Sequence, residues 1–196
     1  WANAPRSPLA MSRRSSFSIH LAVLSLLSAF LLFQVQPVIS KFILPWFGGS
    51  PGVWTTCMLF FQVVLLAGYA YAHVLTRFLT AKQQAVVHLS LIVGALVALP
   101  ILPDPSWKPT AGGDPTLRIL ALLAMHVGLP YFLLSATGPL MQAWFARAVV
   151  GVSPYRLYAL SNVGSLLALL TYPVVVEPAL TVREQTVAWS LGFCFF

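Results

Sequence analysis

Few residues of this chain have ligating or acid–base chemistry: His20, His73, His88 and His126, Cys57 and Cys194, and the carboxylates Asp104, Asp114, Glu177 and Glu184. Neutral imidazole is a common ligand of metals, haem and chlorophyll. No two of these histidines stand four apart or fall in a short ligand motif. The cysteines lie far apart in apolar segments, form neither a CxxC pair nor a disulfide framework, and read as small core residues. No carboxylate pair is spaced for general acid and base work, and no Ser, His and Asp set presents itself for acyl transfer. The sequence names no cofactor and no metal site.

Position separates the histidines. His20, His73 and His88 fall near the ends of apolar segments, where an imidazole can hydrogen-bond to loop backbone or lipid headgroups. His126, beside Met125, falls near the middle of one. There it must either find a partner across a helix interface or bind something, which makes it the candidate cofactor-binding residue.

Packing chemistry is better represented than reaction chemistry. Ser18, Ser25, Ser28 and Gln36 follow a helical repeat down one face of the first apolar segment; Ser161, Gly164 and Ser165 do so in a later one, with Asn162 alongside. Small residues at this spacing let helix backbones approach, and Ser, Asn and Gln add interhelical hydrogen bonds. Both faces are therefore expected inside a bundle, and an aqueous path lined by the same hydroxyls is the alternative. The Gly48-Gly49-Ser50 turn is either a helix cap or a set of backbone N–H groups open to an anion.

The elements that must position these residues are membrane spans. The chain of 196 residues is 59% hydrophobic and 8% charged, with a mean hydropathy of +0.85, where a soluble domain carries roughly 25% charge. A bilayer core needs roughly 20 apolar residues per helix. Charge-poor stretches of that order predict an all-α, polytopic transmembrane bundle with about six spans, at about 17–36, 52–75, 85–102, 117–135 and 154–176, and a sixth, 185–196, that stops short inside the membrane as in a fragment. Pro37 is expected to end the first span, Pro103 the third, and Pro130 to kink the fourth. Residues 1–16 read as a polar tail. Val38 to Gly49 and Leu140 to Val150 read as short connectors, either interfacial helices anchored by aromatics or plain amphipathic links. Asp104 to Pro115 is the most polar loop.

Orientation follows from the cations. With the N-terminus in the cytoplasm, Arg6, Arg13, Arg14, Arg77, Lys82, Arg147 and Arg156 lie inside, and Lys41, Lys108, Arg118 and Arg183 outside. The excess inside favours that arrangement. The net charge of +7 belongs with these flanks, and no basic run with interleaved aromatics points to nucleic acid. The expected surroundings are the lipid bilayer, other membrane subunits or an attached cytosolic domain.

Several strings occur together in one order. Gln36-Pro37, Leu44-Pro45-Trp46-Phe47-Gly48-Gly49-Ser50-Pro51, Trp54, Phe60-Phe61-Gln62 and Gly68-Tyr69-Ala70-Tyr71-Ala72-His73 come first. Leu133-Leu134-Ser135-Ala136-Thr137-Gly138-Pro139-Leu140, Trp144-Phe145, Ser153-Pro154-Tyr155 and Ser161-Asn162-Val163-Gly164-Ser165 follow. Over most of residues 30–178 the chain resembles the N-terminal membrane region of bacterial spermidine-synthase-like membrane proteins. The resemblance implies a multi-helix, transporter-like region of the bacterial inner membrane, commonly followed by a cytosolic Rossmann-type domain that resembles polyamine aminopropyltransferases. The glycine-rich loop and acidic residues of such a domain are not among these residues, so no catalytic residue is carried over. The leading expectation is a non-catalytic membrane anchor or small-molecule transport module. Its rivals are an accessory subunit of a redox or photosynthetic complex, where His126 meets a neighbour or pigment, and a stand-alone transporter.

Overall fold

The computed structural model describes residues 8–109, 114–149 and 153–196. It is an all-α bundle. Its helices are α1 (Pro8–Phe47), α2 (Pro51–Phe78), α3 (Ala81–Ala95), α4 (Pro115–Leu123), α5 (Leu129–Ala148), α6 (Tyr155–Thr171), α7 (Glu177–Ala179) and α8 (Val182–Phe195). A wide turn at Ala124–Gly128 joins α4 to α5, and another at Tyr172–Val176 joins α6 to α7. Five stretches are long and apolar enough to cross a membrane: Ser18–Phe47, Pro51–Phe78, Ala81–Ala98, Pro115–Ala148 and Tyr155–Ala179. The chain is a multi-pass helical membrane protein.

Local chemistry explains the starts. Ser50 caps α2 by accepting from Val53 N, with Pro51 in the first turn, and Asp114 caps α4 ahead of Pro115 in the same way. Thr80 with Gln83 and Thr181 with Glu184 form reciprocal capping boxes on α3 and α8. Gly48, at φ +86°, takes the left-handed conformation that ends α1, and its N–H returns to Leu44 O.

Proline is where the sequence-based boundaries fail. α1 continues through Pro37 and Pro45, so the connector expected at 38–49 is the last part of the first helix. α5 continues through Pro139 to Ala148, absorbing most of the connector expected at 140–150, and the fourth span ends there rather than at 135. An internal proline removes one hydrogen bond. Ending the helix in hydrocarbon would instead leave several backbone groups with no water to bond, which costs more. The third span stops at Ala98, before Pro103; beyond it Ile101 is fully buried and its N–H donates to Ser190 Oγ on α8. α1 starts at Pro8, so it takes in the second half of the polar stretch 1–16 before its apolar part begins at Ser18; residues 1–7 lie outside the described residues. α8 begins at Val182, ahead of the expected 185, and falls short of a span.

α1 is the centre of the bundle, packing against α5, α6 and α8, while α2 packs on α5. Its Val35, Val38, Ile39 and Ile43 are buried together with Leu122, Leu123, Val127 and Leu133 from the α4–α5 rod. Helix ends alternate sides. Lys41 pairs with Glu177 and Lys108 lies over the Trp46 ring at one end; Arg147 donates to Thr76 O at the other.

Candidate functional site

Successive turns of α1, in a stripe that winds from Ser28 and Leu32 to Gln36, Ser40 and Leu44, line two cavities. At 1.5 Å per residue this stripe is about 24 Å long, most of the thickness of a bilayer core. α6 runs alongside with Tyr158, Ser161, Ser165 and Leu169, followed by Tyr172 at the start of the wide turn. α1, α2, α5 and α6 all line the first cavity, whereas α5 contributes nothing to the second.

The first cavity, about 370 Å³, is the polar one. Ser28 comes from α1, Tyr69 from α2, Ser135 and Gln142 from α5, and Ser161, Asn162 and Ser165 from α6, and no charged side chain is among its lining residues. Ser28 Oγ donates to Ser25 O at 3.1 Å, Ser135 Oγ to Phe132 O at 2.7 Å and Ser165 Oγ to Ser161 O at 3.0 Å. Each hydroxyl proton is thus held by its own helix, leaving oxygen lone pairs for a guest. Two prolines add to this. Pro37 and Pro139 lack the N–H that would bond the carbonyls of Phe33 and Ser135, four residues earlier, and both of those residues line the cavity. The site is polar and neutral, with donors as well as acceptors from Gln142, Asn162, Tyr69 and Tyr158, and is edged by the aromatic rings of Phe33, Tyr69 and Tyr158.

The second cavity, about 390 Å³, is mostly apolar, with Leu44, Trp54, Cys57, Met58, Phe61 and Leu169 in its walls and Gln36, Ser40, Lys41 and Tyr172 as its polar members. Gln36 Nε2 donates to Tyr131 Oη at 3.3 Å, and Tyr172 Oη donates to Gln185 Oε1 at 3.0 Å. Lys41, at the far end of the stripe, is paired with Glu177.

The residues singled out in the sequence fall in different places. Ser25 and Ser28 are buried, and Gly164 is pressed against the Leu26 backbone, so the small-residue faces of α1 and α6 do pack together. Ser161, Ser165 and Asn162 serve the polar cavity as well. His126 lies in the wide turn between α4 and α5; its Nδ1 meets Leu122 O at 2.9 Å and its ring stands edge-on to Trp107, near the Asp104 loop. His73 and His20 are exposed.

His88 differs from its expected place near a loop or headgroup. It is 4% exposed, with Nε2 3.3 Å from Thr137 Oγ1 on α5 and Nδ1 3.5 Å from Tyr71 Oη on α2. One turn away Gln84, fully buried, accepts from Trp144 Nε1 at 2.7 Å and donates to Leu79 O. These two residues are the polar seam that docks α3 onto the bundle. Among the described residues no group of three or more His, Cys, Asp and Glu side chains gathers to hold a metal ion. At Gly48-Gly49-Ser50 the Ser50 oxygen is occupied as the α2 cap.

The sequence offered an aqueous path along the Ser-rich faces only as the alternative to packing, because the cavity's lining comes from four helices; a further signal was the pairing of those repeats with prolines four residues beyond a lining position. No family model, curated protein or solved structure matches this chain.

Proposed function

We propose that this bundle is a small-solute binding and transport module whose cargo is a neutral, hydrogen-bonding molecule. It performs no covalent chemistry by itself. The observation that carries this reading is the winding stripe on α1 from Ser28 to Leu44, whose successive turns line a polar cavity and then an apolar one. Hydroxyl oxygens and proline-released carbonyls accept bonds from the cargo, and the aromatic rings cover its carbon skeleton. An ammonium ion would meet no carboxylate in the polar cavity, and burying an unpaired charge at that depth is costly. The reading agrees with the transporter-like role that the resemblance to spermidine-synthase-like membrane proteins implies. It departs from a polyamine as the cargo of this particular cavity.

The test is solute entry into proteoliposomes, with glycerol as the neutral probe and 1,4-diaminobutane as the cationic one. Glycerol entry above that of protein-free vesicles, lost in Ser161→Leu and reduced in Pro37→Ala, supports the reading. Pro37→Ala is informative because it restores a backbone donor to Phe33 O and leaves the polar side chains in place. Glycerol entry at the protein-free rate, or entry of the diamine alone, overturns it.

A further inference from the structure

The termini of α3 and α5 enclose a groove that the transport reading does not use. Ala81, Lys82 and Ala85 from α3 and Trp144, Arg147 and Ala148 from α5 line it, around a volume of about 420 Å³. Its floor is apolar for a specific reason. The indole N–H of Trp144 is consumed by the buried Gln84, which is itself tied to Leu79 O, so the ring offers only carbon to the groove. Two cations stand on the rim. Arg147 uses one nitrogen on Thr76 O, and Lys82 has no hydrogen-bond or ion-pair partner among the described residues.

The charge around them is one-sided. All four carboxylates of the chain, Asp104, Asp114, Glu177 and Glu184, sit in the loops and helix starts at the opposite end of the bundle. Arg77 and Arg156 join Lys82 and Arg147 at this end. Lys82 opens one membrane-spanning stretch and Arg147 closes another, so both lie where a span meets the headgroup layer. An anion that carries its own apolar tail answers both features of the groove.

We propose that this groove binds the phosphate of an anionic phospholipid between Lys82 and Arg147, with the start of an acyl chain lying against Ala85 and Trp144. A free phosphate shares the headgroup chemistry but leaves the apolar floor uncovered.

The experiment is to reconstitute the full chain in vesicles of equal phosphatidylglycerol and phosphatidylethanolamine, extract it in mild detergent, and quantify the lipid that stays bound. Phosphatidylglycerol should be enriched over the vesicle composition. Lys82→Gln should lower that enrichment roughly five-fold, the effect of one cation near a membrane surface. Ala85→Leu, which fills the floor and keeps the charges, should lower it too. Lys108→Gln, at the opposite end, should leave it unchanged. Equal retention of the two lipids, or enrichment that survives Lys82→Gln, overturns the proposal. Complete displacement by inorganic phosphate overturns the lipid assignment and leaves a simple anion site.

Discussion

A Cβ built on Gly164 would stand 2.4 Å from the carbonyl oxygen of Leu26, so α6 meets the backbone of α1 directly. That is closer than any side chain tolerates, and the obstacle is backbone that cannot swing aside. Gly164→Ala should therefore destabilise the protein by about 1–3 kcal/mol, as overpacking does. Gly94, on α3, has no atom within 4 Å of its Cβ position, and Gly94→Ala should be neutral or stabilising by up to about 1 kcal/mol. Unfolding in detergent, followed by tryptophan fluorescence, distinguishes the two; equal effects would show that the α1–α6 approach is looser than described.

Gln34 raises the opposite expectation. It is 5% exposed, faces a cavity of about 210 Å³ between α1 and α8, and neither its Nε2 nor its Oε1 has a hydrogen-bond partner among the described residues. A buried amide without partners costs about 1–3 kcal/mol, so the near-isosteric Gln34→Met should raise stability by about that amount. A loss of stability would mean that the amide is bonded in the membrane.

The His88–Thr137 contact is suited to a double-mutant cycle. His88→Leu, Thr137→Val and the pair should yield a coupling of about 0.6 kcal/mol, with about 1.7 as the upper end for hydrogen bonds between membrane helices. A coupling of zero would assign the docking of α3 to Gln84 and Trp144 alone.

The α8 capping box should respond to acid. Bonds from the Thr181 hydroxyl and N–H to Glu184 hold its carboxyl below the ordinary value of 4.5. A depressed folded-state value means that this contribution is complete above that ordinary value and disappears as pH falls through the lower one. Amide hydrogen exchange in the first turn of α8, corrected for intrinsic rates, should speed up in that acidic window. Glu184→Gln, which can still form the box, should remove the pH dependence; an unchanged profile would place the acid response elsewhere.

Composition and span length were enough to establish a multi-pass helical bundle, and short-range chemistry placed several helix starts: Ser50-Pro51 for α2, for example, needs only neighbours in sequence. The Ser-rich repeats of α1 and α6 were legible as packing faces for the same reason, since their spacing is a property of one helix. What tertiary structure decided was the fate of the prolines and the place of the polar residues. Pro37 read as a break because local propensity is set in water; in a bundle that fills a bilayer, a continued helix with one missing bond is the lesser cost. His88 read as a residue near a headgroup, and only the approach of α2 and α5 made it a buried partner of Tyr71 and Thr137. The cavity needed four helices, and the Ser-rich repeats of α1 and α6 showed only two of its sides. Periodicity within a helix is local information, whereas which face meets which neighbour is settled by packing across the whole bundle.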